Sequence, residues 1–148
     1  MTPLIGRREI AALIPHTGAM CLLDEVRFWD RGAIVCIASS HRDSRNPLAV
    51  GGQLGAICGI EYAAQAMAVH GGLTAQKGRR PSAGYLASLR DVTCHVARLD
   101  LLVEDLEVTA TRLAGDPAAA LYGFAVRSGP SMILEGRAAV VMDAAPPA

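Results

Sequence analysis

Apolar and polar positions divide the first third of the chain into a helix, a hairpin and a loop. Residues 6–14 are short and amphipathic, and Pro15 ends them, so they predict a brief leading helix. Residues 20–29 and 32–39 are rich in Val, Ile, Leu and aromatic residues, with a polar turn between them, which predicts two strands paired as a hairpin. Residues 40–53 are polar and then glycine-rich, and loops of that length in compact domains are more often functional than idle.

The segment 54–73 is the most informative stretch of the sequence and predicts a buried helix. Its only formal charge is Glu61, and apolar residues surround the helix on almost every side, so such a helix must be enclosed. A membrane span is the competing interpretation. Because Glu61, Gln65 and His70 interrupt the stretch and the glycine pair at 71–72 cuts it short, we favour a helix inside a globular core and expect no membrane partner.

Several later segments have strand-like composition, namely residues 83–89, 91–96, 101–113, 118–126 and 131–142. They do not alternate with helices, which disfavours a doubly wound nucleotide fold. One apolar helix wrapped by one strongly curved antiparallel sheet is the simplest way to bury residues 54–73 in so short a chain. This α+β arrangement is the hotdog fold. A single sheet leaves one edge open, so we also expect a dimer with a continuous sheet.

Composition and charge narrow the class of protein. The chain has 148 residues, 51% of them hydrophobic, which suits a single domain over 1–148 with a frayed tail at 144–148. Its 14 basic and 14 acidic side chains cancel, which argues against a nucleic-acid partner. The four cysteines lack CxxC spacing, which disfavours a metal site and indicates free thiols in a reducing compartment. The N-terminus lacks the pattern of a secretory signal, so we expect a cytoplasmic location.

Glu61 is the strongest candidate for chemistry. An ionisable group on an otherwise apolar buried helix is costly to desolvate and needs a partner, so structure alone rarely selects it. The alternative is a satisfied core carboxylate bonded to Gln65, its i+4 neighbour on the same face. A carboxyl group can donate a proton to a leaving hydroxyl while a nearby imidazole removes a proton from carbon.

Four histidines differ in how well they suit the role of that imidazole. His16 is fixed between a rigid proline and a strand, which favours catalysis, although a loop-bracing role fits the spacing nearly as well. His41 lies in the long polar loop, and His95 lies in a strand-like run where it lines a pocket or faces solvent. His70 lies about 13 Å along the helix from Glu61 on the opposite face, so we expect a helix-end histidine favoured by the helix dipole.

Glycine, glutamine and arginine residues supply candidate binding groups. Gly55 and Gly59 would let a backbone N–H approach an acyl oxygen, while close packing of helix on sheet is the alternative role for both glycines. With Gln65, they are the expected substrate-binding residues. Arginines of the two long loops would hold the phosphate of a carrier arm or an acidic carrier protein, although solvated surface arginines are the commoner case: Arg42, Arg45, Arg79 and Arg80.

Two segments, IPHTGAMCLLDEV at 14–26 and GIEYAAQAMAVHGGL at 59–73, resemble the 3-hydroxyacyl-(acyl carrier protein) dehydratases. The similarity is greatest to the variant subgroup associated with aryl polyene pigment pathways, and LRDVTCHVARLDLLVEDLEV looks like that subgroup's following strands. The resemblance implies a hotdog fold, a dimeric or higher assembly, and syn elimination of water from a carrier-bound 3-hydroxyacyl thioester. It implies no metal or redox cofactor. In the enzymes it resembles, the helix Glu, here Glu61, assists departure of the hydroxyl and a histidine abstracts the α-proton.

The sequence departs from the family pattern at the base. The better-known fatty-acid dehydratases carry their catalytic histidine in a GHFPG loop fourteen residues before the Glu, and Pro47 has that place here. Three outcomes are open: His16 has taken over, His41 or His95 has done so, or the chain is a non-catalytic partner. We favour His16 because it lies in the PHxGxM segment that resembles the variant subgroup's and because it is rigidly mounted.

Three functions therefore follow from the sequence. The leading one is a dehydratase that converts a 3-hydroxyacyl thioester of acyl carrier protein or coenzyme A into the 2-enoyl thioester, in fatty-acid or polyketide and polyene synthesis. The second is an acyl thioester hydrolase, since hotdog proteins that the chain resembles also use a helix carboxylate to activate water. The third is a binding subunit that pairs with a catalytically complete homologue, so the protein partner is a second copy or a related hotdog subunit.

Overall fold

The computed structural model describes residues 5–14, 18–75, 84–116 and 118–142. Within these ranges the chain forms seven strands and two α-helices. In chain order they are β1 (Ile5–Gly6), α1 (Arg7–Leu13), β2 (Glu25–Trp29), β3 (Ala33–Ala38), α2 (Gly59–Thr74), β4 (Gly84–Cys94), β5 (Leu106–Gly115), β6 (Ala119–Ser128) and β7 (Ser131–Met142). The leading helix and the β2–β3 hairpin are confirmed, although the first strand of the hairpin begins at Glu25 and not at residue 20. The predicted tail at 144–148 lies outside the described residues.

The described strands join one antiparallel sheet in the order β1-β2-β3-β5-β6-β7-β4. Strands β5, β6 and β7 form a meander, because each is followed by a short turn into the next. Strand β4 follows α2 in the sequence but pairs with β7, so it lies at the opposite edge from the two-residue β1. The helix α2 thus connects the β3 side of the sheet to its far edge.

The core lies between α2 and one face of this sheet. The helix packs against β3, β4, β5 and β6. Alternate residues of β6 face the helix, so Tyr122, Phe124 and Val126 are buried while the residues between them are less so. Gly59 allows close contact, since a Cβ there would lie 2.8 Å from the Leu134 Cδ2 atom. One long helix against one antiparallel sheet is the predicted α+β hotdog arrangement, which is confirmed.

The long helix begins later than predicted. The sequence pattern predicts a helix from residue 54, but Ala56–Cys58 forms a 3-10 turn and α2 starts at Gly59. The reason is pairing with a distant segment, since the Leu99 amide donates to the Leu54 carbonyl at 2.8 Å. In the described part of the chain, neither helix combines the length and the apolar character that crossing a membrane requires.

Three of the predicted strand segments also needed correction. Residues 83–89 and 91–96 belong to one long strand, β4, which has irregularities of register where it pairs with β7. Strand β5 begins at Leu106 and not at residue 101, because the preceding residues form turns. All four cysteines are free thiols: Cys21 and Cys36 are buried, Cys58 is half-buried and Cys94 is exposed.

His70 fixes the C-terminal part of α2. Its Nδ1 lies 2.7 Å from the Tyr122 hydroxyl, and its Nε2 lies 2.7 Å from the carbonyl oxygen of Asp30 in the β2–β3 turn. The ring is fully buried, and this burial lowers its pKa. A favourable interaction with the helix dipole needs a charged ring, and the lowered pKa opposes that charge. What the structure does show is that His70 joins the helix, β6 and the hairpin turn through both of its ring nitrogens.

We predict that acid weakens the fold through its buried histidines. Burial lowers the pKa of both His41 and His70 below the usual 6.5, so below that pH the unfolded chain binds more protons than the folded chain. The free energy of unfolding is therefore fully retained above pH 6.5 and falls as the pH drops from there towards the lower pKa of the folded state. Replacing His70 with Gln should remove about half of this pH dependence.

Urea denaturation at several pH values measures the effect. The variant His70→Gln should be less stable than the wild type at neutral pH, by about 1–3 kcal/mol, because a buried group loses a hydrogen-bond partner. If His70→Gln and the wild type show the same slope of stability against pH, the pKa of His70 does not differ between the folded and the unfolded state.

Candidate functional site

Glu61 lies in the first turn of α2. Its side chain is half-buried. The Gln65 amide, one turn later, donates from Nε2 to Glu61 Oε1 at 3.3 Å. The helix N-terminus also stabilises negative charge at this position. The carboxyl group therefore combines access from outside with a fixed orientation, which is what a general acid or base requires.

Gln65 connects this carboxyl group to the segment before β2. Its Oε1 accepts a hydrogen bond from the Leu22 amide at 2.9 Å, and its Nε2 donates to the Met20 carbonyl at 2.7 Å as well as to Glu61. The side chain is fully buried, and both amide hydrogens and the carbonyl oxygen have protein partners. The structure therefore places Gln65 in contact with Glu61 and the 20–22 segment.

His16 lies outside the described residues, so the favoured base has no described geometry. The chain is described again from Gly18, and Met20 is held by Gln65 as above. Three residues separate His16 from Met20 in the sequence. The side-chain amide of Gln65 thus contacts both the Met20 backbone and the Glu61 carboxyl group.

His41 differs from its expected place in a polar loop. It is buried at 2% exposure, and its Nε2 lies 3.2 Å from the Leu102 carbonyl. Its Nδ1 is buried and has no hydrogen-bond partner among the described residues. Burial and, to a smaller extent, the charge of Arg42 lower the pKa of His41. The ring therefore fills a gap between the loop and the segment before β5.

His95 faces solvent just after β4. Its Nε2 lies 2.8 Å from Glu135 Oε2, and both side chains are close to half exposed. No described contact joins His95 to Glu61. Of the two roles that the sequence allowed, lining a pocket or facing solvent, the structure has the second.

The two glycines near the helix start have different surroundings. A Cβ on Gly59 would collide with Leu134, so this glycine serves close packing of the helix on the sheet. A Cβ on Gly55 would have no described atom within 4 Å, so the backbone there borders open space. Gly55 also forms an isolated bridge with Arg98. The backbone at Gly55 thus leaves room for a ligand to approach.

The arginines expected to bind a carrier are already paired where they are described. Arg42 donates to the Val103 carbonyl at 2.7 Å and to Asp105 at 2.6 Å. Arg45 lies 3.3 Å from Asp43 and is largely exposed. Arg79 and Arg80 lie outside the described residues.

Tyr62 is a buried polar residue that the sequence analysis did not single out. Its hydroxyl lies 2.7 Å from Ser40 Oγ and accepts from Asn46 Nδ2 at 3.1 Å. A tyrosine inside an Ala-rich helix was the available signal, because a buried tyrosine hydroxyl usually needs a partner. The residues that supply the partners lie in the 40–53 loop, which the sequence marked as functional only by its length.

The described residues contain no group of three or more His, Cys, Asp or Glu side chains placed to hold a metal ion. The groups that the structure brings together are instead one carboxyl group, one amide and a set of hydroxyl and backbone groups around the start of α2. Such a set can orient and transfer a proton.

Comparison with known proteins gives a consistent picture. A model of the ApeP-like dehydratase family, described as ApeP dehydratase, matches residues 8–146. A chain of the dehydratase heterocomplex ApeI:P from Xenorhabdus doucetiae superposes with a TM-score of 0.79 at 23% identity, over 91% of each chain. A search of curated proteins finds no significant match.

More distant solved structures share the fold. Cj0977, a sigma28-regulated virulence protein of Campylobacter jejuni, has a TM-score of 0.65 at 11% identity over 98% of this chain and 97% of that chain. Zebrafish thioesterase superfamily member 2 has a TM-score of 0.62 at 17% identity over 93% of this chain and 95% of that chain. Such low identities establish the fold alone.

We predict that Gln65→Leu destabilises the protein. The change leaves the Leu22 amide and the Met20 carbonyl without their partner, which should lower the free energy of unfolding by about 1–3 kcal/mol. Gln53→Leu is the matched control, because Gln53 is exposed and should change stability by less than about 0.5 kcal/mol. We call the hydrogen bonds of Gln65 to the Leu22 amide and the Met20 carbonyl the clamp. Equal urea midpoints for the two variants would show that this clamp does not stabilise the fold.

Proposed function

Because the chain belongs to the ApeP-like dehydratase family, as the resemblance predicted, we propose that it dehydrates a 3-hydroxyacyl thioester carried on acyl carrier protein. The product is the 2-enoyl thioester. The single observation that carries the proposal is the half-buried Glu61 carboxyl, held by Gln65 in the first turn of the one long helix. Glu61 is the sole acidic side chain in that helix.

The proposed elimination uses an acid and a base. A base takes a proton from C2 of the acyl group, the C2–H electron pair forms the C2–C3 double bond, and the C3–O bond breaks. Glu61 gives its proton to the departing hydroxyl, which leaves as water. Each proton transfer of this kind contributes a rate factor of typically ~10²–10⁴.

His16 is our proposed base. His41 is enclosed and hydrogen-bonded to the Leu102 carbonyl, and His95 is paired with Glu135, so neither is favoured by its described contacts. The segment that follows His16 is bound to Gln65, the residue that also holds Glu61. Met20 follows His16 by four positions, a stretch of chain that can span at most about 14 Å, and this short link to the segment bound by Gln65 supports the choice of His16.

Substrate contacts are assigned to the helix start. Gly55 borders open space, so we propose that its backbone accepts the approach of the acyl group. Gly59 contributes by letting the helix lie close to Leu134, and Gln65 by orienting Glu61.

The free thiols agree with a cytoplasmic location, which we propose on that ground.

The outer edge of β4 is the proposed contact with a partner subunit. Strand β4 pairs with β7 on one side, and no described strand pairs with its other side. Leu86 and Leu89 on this strand are large apolar side chains with 40% and 39% exposure. Edges of this kind are usually covered in native proteins. The structural match to a dehydratase heterocomplex supports a related hotdog subunit as the partner, with a second copy of this chain as the alternative.

We predict that Glu61→Gln and His16→Ala each abolish dehydration without unfolding the protein. The assay follows formation of the enoyl thioester from a 3-hydroxyacyl carrier substrate. Each loss should be at least about 10²-fold, because each variant removes one proton-transfer group. His95→Ala is the matched control and should retain activity, since His95 is exposed and bound to Glu135.

Other outcomes of the same assay distinguish the alternatives. Full activity of Glu61→Gln would refute the assignment. Release of free thiol from the substrate would indicate a thioesterase, whereas dehydration conserves the thioester. Turnover only after addition of a related hotdog subunit would identify the chain as a partner that depends on that subunit.

We predict that Leu89→Lys weakens the assembly. A charge on the β4 edge opposes burial against another subunit, so light scattering at a fixed protein concentration should give a lower mass than for the wild type. Leu113→Lys is the control, because Leu113 is 52% exposed on β5, which has neighbours on both sides. An unchanged mass for Leu89→Lys, with the wild type oligomeric, would place the contact elsewhere.

A further inference from the structure

The residue after the proposed acid has no role in the proposed mechanism, yet its hydroxyl is buried and hydrogen-bonded. Tyr62 is fully buried, and its partners come from the loop between β3 and α2. Burial raises the pKa of this hydroxyl, so it remains protonated and able to donate.

The direction of each hydrogen bond follows from the groups involved. Ser40 Oγ donates its one hydrogen to the Leu22 carbonyl at 2.9 Å. The Tyr62 hydroxyl must then be the donor in its 2.7 Å contact with Ser40 Oγ. A neutral tyrosine can do this while accepting a second hydrogen bond from an amide.

These bonds form a closed path between two neighbouring residues of α2. The Tyr62 hydroxyl reaches Ser40, and Ser40 reaches the Leu22 carbonyl. The Leu22 amide in turn donates to Gln65 Oε1 at 2.9 Å, and Gln65 Nε2 donates to Glu61 at 3.3 Å. Both backbone polar groups of Leu22 therefore belong to this path, the carbonyl on the side of Tyr62 and the amide on the side of Glu61.

A second branch fixes the loop. Asn46 donates from Nδ2 to the Tyr62 hydroxyl at 3.1 Å and to the Ser40 carbonyl at 2.9 Å, while its Oδ1 accepts from the Leu48 amide at 2.9 Å. Asn46 is 6% exposed. The loop beside α2 is thus held by the same hydroxyl that reaches Leu22 through Ser40.

We propose that Tyr62 is a positioning residue for Glu61. Its hydroxyl holds Ser40 against Leu22, and Leu22 holds Gln65 in the orientation that donates to the Glu61 carboxyl. Removing the hydroxyl leaves the helix in place and loosens the orientation of the carboxyl group. The catalytic consequence rests on the proposed dehydratase function.

The test compares Tyr62→Phe with Tyr122→Phe in the full chain. Tyr122 is also buried and also loses one 2.7 Å contact, that with His70, but it lies near the other end of α2. Both variants lose a buried hydroxyl, and Tyr62→Phe also loses the bond from Asn46, so its loss of stability should be equal or larger. Tyr62→Phe should lower kcat for dehydration about tenfold with little change in KM, because misplacement affects the transition state more than binding. Tyr122→Phe should keep kcat within about twofold.

A double variant tests the route. If Tyr62 acts through Gln65, then Tyr62→Phe should cause no further loss of kcat in a Gln65→Leu background. Independent losses that multiply would contradict the route through Gln65.

Hydrogen exchange of the Leu22 amide supplies a readout that needs no turnover. The reference is the protection of the backbone amides that hydrogen-bond between β5 and β6. Relative to these amides, the protection of the Leu22 amide should fall about tenfold in Tyr62→Phe and stay unchanged in Tyr122→Phe. Equal exchange and equal kcat in the two variants would overturn the positioning role. If wild-type protein shows no dehydration, the proposed function fails, and the Leu22 amide alone decides whether Tyr62 holds this segment.

Discussion

The structure depends on satisfying the polar groups of one enclosed helix. Tyr62, Gln65 and His70 are all buried on α2, and each would be costly without hydrogen-bond partners. Their partners come from different parts of the chain: the loop after β3, the segment before β2, and the β2–β3 turn with β6. The helix is therefore the element to which loops of otherwise weak structure are fixed. Because each buried polar side chain needs hydrogen-bond partners, the segments that supply these partners are held in specific positions around the helix.

The two ends of α2 differ in how open they are, and this difference underlies the proposed place of the chemistry. At the C-terminal part, His70 is enclosed and both ring nitrogens are used. At the first turn, Glu61 is half-buried, and Gly55 nearby borders open space. Negative charge is stabilised at a helix N-terminus, so an acid that loses its proton is better placed at this end than at the other. The accessible end thus carries the acid that we propose for the reaction.

The sequence predicted the parts of the fold that follow from local periodicity. Strand β6 and the apolar helix α2 both lie in segments whose composition predicted them. The start of α2 was predicted too early because a distant residue decides it: Asp100 accepts from the Leu54 amide at 2.9 Å. The hydrogen bonds from Arg98 and from this amide lower the pKa of Asp100 to about 2, so the carboxylate persists at neutral pH. The burial of His41 likewise depends on Leu102, 61 residues away, which no local pattern reveals.

The loop at 46–48 explains how the site can differ from that of the fatty-acid dehydratases. Those enzymes have a histidine at the place of Pro47, whereas here Pro47 is exposed and its neighbour Asn46 braces the loop against Tyr62. Both atoms of the Asn46 amide are engaged, so this loop contributes shape and no proton-transfer group. In the proposed dehydration, the base therefore comes from another segment. Gln65 binds the segment that includes Met20 and Leu22 to the same part of the helix as Glu61. The choice of His16 as base and the proposed role of Tyr62 therefore both depend on the hydrogen bonds of Gln65.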